Sequence, residues 1–138
     1  MENLILAFDG ELPSLEEVGA PLKKCAELDL QRDHLAVCER DNCAYIRRQA
    51  RPESSWFNHW HPSLVPDNPK TLLVAYRDVD LAKRIVAALG KRYRFVVDTD
   101  CDGVYTAKDF VQRCAREPDW DWLREAWLAL PSRTGDPA

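Results

Sequence analysis

Twice in this chain a short apolar run is followed at once by the start of a helix. The first run is Leu4-Ile5-Leu6-Ala7-Phe8, closed by Asp9-Gly10. Ser14 and Glu17 follow with the spacing of a capping box, in which hydroxyl and carboxylate each satisfy a free amide of the first turn. The second run, Thr71 to Tyr76, leads to Asp78, a helix cap. Behind it, Val79, Ala82, Ile85, Val86 and Leu89 form one apolar stripe. Runs this short and this apolar read as buried strands. Strands that alternate with amphipathic helices require a sheet with helices packed on it. The two units share a pattern, as a duplicated strand–helix unit would.

The rest of the chain extends that reading. His34–Cys38 and Cys43–Arg47 flank Glu39-Arg40-Asp41-Asn42, which predicts a β-hairpin with a tight polar turn. Gln49 to Lys70 is proline-rich and without period, so it is expected to be a long irregular connection. Arg94–Val97 reads as a further strand. Thr106 caps a helix with Phe110, Val111 and Cys114 on its apolar side, and Gly90 fits a left-handed position after the preceding helix. Pro118-Asp119 is expected to open a last helix, with Leu123, Ala126, Trp127 and Leu130 on one face. Gly19 and Pro21 predict a kink or restart in the helix capped by Ser14. The expected fold class is α/β (α+β): a single mixed β-sheet of four to five strands with helices packed on it. One domain is expected over residues 1–131, followed by a disordered tail over 132–138.

Charge and cysteines narrow the function classes. The 138 residues carry a net charge of −4, which disfavours a dedicated nucleic-acid binder. The short basic clusters Arg47-Arg48, Arg51 and Lys91-Arg92 with Arg94 read as solvated surface. No apolar stretch approaches the length of a membrane span, and the N-terminus lacks the basic region of a secretory signal. The five cysteines, Cys25, Cys38, Cys43, Cys101 and Cys114, are then expected as free thiols in the cytoplasm. Cys38 and Cys43 are the pair that a hairpin would bring together.

The sharpest motif is Asp98-Thr99-Asp100-Cys101-Asp102-Gly103, followed by Asp109 at the twelfth place. It matches the calcium loop of EF-hands, with candidate ligands Asp98, Asp100, Asp102 and Asp109. A strand entering the loop and the short carboxylate of Asp109 argue against that geometry. The preferred expectation is that Asp98, Asp100 and Asp102 are solvent-facing carboxylates serving a partner surface or a turn. Phe95-Val96-Val97-Asp98-Thr99-Asp100 is similar to the first motif of haloacid-dehalogenase phosphotransferases, but too little chain follows to complete that fold. A zinc set of His59, His61, Cys38 and Cys43 lacks standard spacing. No cysteine stands in a context that lowers its pKa. No cofactor and no catalytic residue is assigned, and the chain is read as a non-enzyme.

Five tryptophans in 138 residues are many, and tryptophan is enriched at binding hot spots. Trp56, Trp60, Trp120 and Trp122 are therefore candidate partner contacts, with at least one of the C-terminal tryptophans expected to be partly exposed or to pack on the long connection. In type, this small acidic chain with surplus tryptophan and an Asp-rich loop resembles the immunity proteins of bacterial polymorphic-toxin and contact-dependent inhibition systems. Residues 106–110 and Trp120-Asp121-Trp122 carry most of the likeness. The resemblance implies a protein that neutralises a toxin by direct binding, its carboxylates facing a basic toxin domain. The alternatives are a calcium-binding module built on residues 98–109 and a secretion chaperone or adaptor.

Overall fold

The computed structural model describes residues 1–101 and 103–129. The expected tail over 132–138 and Leu130 lie outside the described residues. Seven strands form one sheet: β1 (Glu2–Phe8), β2 (Glu27–Leu30), β3 (Leu35–Glu39), β4 (Asn42–Gln49), β5 (Lys70–Tyr76), β6 (Phe95–Asp98) and β7 (Val104–Thr106). Their order is β2-β3-β4-β5-β1-β6-β7. Among the described residues four helices accompany them: α1 (Leu15–Leu22), α2 (Val79–Gly90), α3 (Ala107–Arg116) and α4 (Trp122–Ala129).

The α+β class stands, but two details are corrected. Among the described residues there are seven strands rather than four or five, and every neighbouring pair is antiparallel rather than mixed. The unforeseen strands are short and lie at the two edges. β2 reads Glu-Leu-Asp-Leu and is mostly exposed, so it has no apolar run to betray it. β7 is three residues long and follows directly on the acidic turn. The two apolar runs that resemble each other, β1 and β5, lie side by side at the centre, with Ile5 opposite Leu73. Both β5 and β6 pair antiparallel with β1 from opposite sides, so α2 carries the chain over β1 between them.

Period-two alternation sorts each strand's side chains onto two faces. Leu4, Leu6 and Phe8 of β1, Leu72, Val74 and Tyr76 of β5, and Val97 of β6 are buried in the main core with Leu81, Ile85 and Leu89 of α2 and Phe110 of α3. The helix starts are as the sequence dictates. Ser14 and Glu17 form the reciprocal capping box, Asp78 caps α2, and Thr106 Oγ1 accepts from Asp109 N. α1 runs through Pro21 without restarting. The carbonyl of Glu17, which lacks an amide four residues on because Pro21 has no N–H, accepts the Tyr93 hydroxyl instead.

Three expectations fail locally. Gly90 is the last residue of α2 and does not adopt a left-handed φ; its bare Cα faces α3, where an added Cβ would meet Ala107 Cβ at 3.8 Å. α4 begins at Trp122, later than Pro118, because Asp121 Oδ1 caps it by accepting from Leu123 N and Arg124 N. Of its expected apolar face, the Trp127 side chain and Leu130 lie outside what is described. Finally, Cys38 and Cys43 form a disulfide. The hairpin register places them directly opposite each other, and the Cα atoms are 4.1 Å apart. The zinc set weighed and set aside on spacing also loses both thiols by this pairing. Cys25 and Cys114 are free thiols.

Candidate functional site

The acidic motif lies at the end of β6, on the sheet face opposite the helices. Here the long connection between β4 and β5 folds back over the sheet through two short 3-10 turns, Ser54–Phe57 and Pro62–Leu64. Phe57 and Trp60 bury themselves against Ala7 of β1, with Trp56, Val65, Val96 and Val104 around them. The two buried rings meet edge to face, their centroids 4.7 Å apart. This second, smaller core needs a polar anchor, because the indole N–H would otherwise be lost from water.

Asp98 supplies that anchor. Trp60 Nε1 donates to Asp98 Oδ2 at 2.8 Å, and His59 Nε2 lies 3.1 Å from the same oxygen. The other oxygen, Oδ1, accepts Asp100 N at 2.7 Å. Asp98 is only 1% exposed, so the expectation of a solvent-facing carboxylate is corrected at this residue. A strand alternation explains it: Asp98 pairs with Ile5 on one side and Val104 on the other, and its side chain falls under the connection. Thr99, also buried, closes the turn. Its backbone N donates to Gly103 O, and its hydroxyl oxygen accepts from Gly103 N. Asp100 then takes a φ of 60°, a left-handed geometry that Asp and Asn tolerate best after glycine.

This geometry does not make a calcium loop. Both oxygens of Asp98 already face protein donors. β7 occupies the seventh to ninth places, so the chain leaves the turn as a strand where an EF-hand loop would wrap a cation. Asp109 is exposed in the first turn of α3. Asp102 lies outside the described residues. Asp100 remains exposed, as expected. Burial, followed by the charge of Asp98, raises its carboxyl pKa above the ordinary value, with His59 opposing the shift.

The tryptophans separate. Trp60, Trp120 and Trp122 are 5%, 3% and 0% exposed, and none offers a surface to a partner. The expectation of a C-terminal tryptophan partly exposed or packed on the long connection assumed that Trp120 and Trp122 both sit on the last helix. In fact Trp120 precedes the helix, so both rings turn inward and pack 5.2 Å apart, with Phe110 against each. Trp122 Nε1 donates to the buried Tyr76 hydroxyl. Trp120 Nε1 donates to Glu125, and the Arg113 guanidinium stacks over the Trp120 ring at 4.1 Å. Among the tryptophans whose side chains are described, only Trp56 is half-exposed.

Trp56 stands beside a cleft of about 410 Å³ lined by Asn3, Ile5, Arg47, Leu73, His59 and Asp100. A neighbouring cleft of about 520 Å³ includes His59, His61, Asp98, Asp100 and Cys101. His59 and Asp100 thus form the ridge between the two. Beyond this ridge the sheet face continues without a helix over it: Ile5, Leu73 and Arg47 form one cross-strand row, and Asn3, Ala75, Tyr45 and Ala36 the next. Tyr45, at 36% exposure, is one of the few large hydrophobic side chains on the surface. Sequence reasoning missed this row. The alternation Ala44-Tyr45-Ile46-Arg47 carried the signal, since it sends Tyr45 and Arg47 to the face opposite the core. No protein-family model matches the chain, and comparison with curated proteins and with solved structures finds no match.

Proposed function

We propose that this chain is a protein-binding, toxin-neutralising protein of the immunity type, and that it docks through the uncovered half of its sheet. The supporting observation is the asymmetry of the two faces. One is sealed by helices, whereas the other is only half covered. Its open half presents Tyr45, Leu73, Ile5 and Arg47 beside Trp56 and Asp100. An aromatic centre with arginine and a polar edge is the composition of protein interfaces. Asp100 and the net negative charge would steer a basic toxin domain toward it.

The test is protection. The genes flanking its own are searched for a toxin-like domain, the chain is co-expressed with that domain, and growth and copurification are followed. The double variant Tyr45→Asp, Leu73→Asp is expected to lose both, while circular dichroism shows a folded protein. Full protection by that folded variant would sink the proposed surface. Failure of the unaltered chain to protect or copurify would sink the function.

A further inference from the structure

At the other end of β1, away from the proposed docking face, lies a larger cleft of about 690 Å³. Its walls are the last turns of α2, the first turns of α3 and the strand entry between them. Ala87, Gly90, Phe95 and Val111 make an apolar interior. Gly90 keeps the space open where the helices approach, since any larger side chain there would point at Ala107 and Val111. The size falls within the range of small-molecule sites, which are mostly apolar with a few placed polar groups.

The rim is mainly cationic. Lys91, Arg94 and Lys108 line the cleft, against a single carboxylate, Asp9. All three cations are exposed. Among the described residues the lysine and arginine ion pairs are made by Lys83, Arg84 and Arg113, whereas Lys91, Arg94 and Lys108 make none. In a chain of net charge −4, three unpaired cations around one apolar cleft run against the overall charge.

We propose that this cleft binds an apolar anion: a hydrocarbon or aromatic body carrying a carboxylate or phosphate. The body fills the space between α2 and α3, and the head group lies among Lys91, Arg94 and Lys108. The cationic rim selects the sign of the ligand, and the apolar interior supplies contact area. The inference is independent of toxin binding, since it uses a different end of the sheet.

Calorimetric titration tests it on the full chain, using dodecanoate below its micellar concentration, dodecyl phosphate, and dodecyltrimethylammonium as the cationic counterpart. Dodecanoate or dodecyl phosphate is expected to bind one per chain, at least tenfold more tightly than the cation. Whichever anion binds more tightly identifies the head group. The triple variant Lys91→Glu, Arg94→Glu, Lys108→Glu is expected to lose at least tenfold in anion affinity. Ala87→Phe, which fills the interior, is expected to weaken every amphiphile. Absence of one-to-one anion binding, equal binding of the cation, or unchanged affinity in the folded triple variant would each overturn the proposal.

Discussion

The two aromatic clusters of this protein are held in opposite ways. On the helix face, Trp122 is ringed by Phe110, Trp120 and Tyr76 and is fully buried. Its neighbour Trp120 is held three times over, by ring contacts, by Glu125 and by the Arg113 guanidinium. On the other face, Phe57 and Trp60 belong to a connection with no regular structure beyond two short turns. Its His59 and Trp60 side chains both reach one carboxylate, Asp98. Many shared contacts make the first cluster robust to the loss of any single polar group. The second rests on a buried charge whose donors all come from neighbouring loops, so a single atom's change reaches the whole connection.

The largest expected effect comes from Trp122. Replacement by alanine removes the largest fully buried side chain and leaves the Tyr76 hydroxyl without its donor. Such truncations cost about 3–5 kcal/mol, much of the total stability of a domain this size. Guanidinium unfolding should show a lower midpoint, with exchange protection lost across the whole molecule. A loss below about 1 kcal/mol would mean that the helix-face cluster is not the main core.

Asp98→Asn should do less in total and more in one place. Hydrogen bonds to a charged group contribute about 1.5–3 kcal/mol, and asparagine turns one acceptor into a donor that meets either Trp60 or Asp100. Residues 50–69 are expected to exchange amide hydrogens faster and to be cut first by protease, while α2 and β5 keep their protection. Uniform loss of protection across both faces would erase the contrast between the clusters.

That contrast marks where the sequence is legible. The central strands announce themselves because one face is buried under the helices and the other is apolar and partly covered, which leaves near-continuous apolar runs, and the helix starts do so because caps are local chemistry. Ser14, Asp78 and Thr106 act within three residues of themselves, so no tertiary knowledge is needed. The edge strands β2 and β7 are invisible for the complementary reason: little of either is buried, so nothing constrains their composition. The site is harder. The Asp-rich motif is conspicuous, but what Asp98 does depends on Trp60, 38 residues away, and no local pattern connects them. The tryptophans are misread on similar grounds, since a large amphipathic ring serves a core as well as it serves an interface. Trp120 and Trp122 differ from a surface pair in that Asp121, between them, caps the helix, so that Trp122 begins it and Trp120 lies before it.

The smallest effect should come from Asp100, where the sign of the change carries the information. Burial and the neighbouring Asp98 raise its carboxyl pKa from the ordinary 3.8, with Glu2 adding to the shift and His59 opposing it. Between the ordinary and the raised value the folded state binds more protons than the unfolded one, so stability falls as pH rises through that window. Above the window the ionised carboxylate is a standing penalty. Asp100→Asn removes the charge, and asparagine tolerates the left-handed φ. The variant should therefore have a higher urea midpoint than the parent at pH 7, and the difference should shrink to nothing below pH 3.8. If Asp100 also steers the proposed partner, the same variant should associate more slowly, with weaker dependence on salt. A penalty kept at neutral pH is what a binding residue would show, since stability and function often pull apart at such positions. A variant that is less stable at pH 7 would instead make Asp100 a second structural anchor beside Asp98.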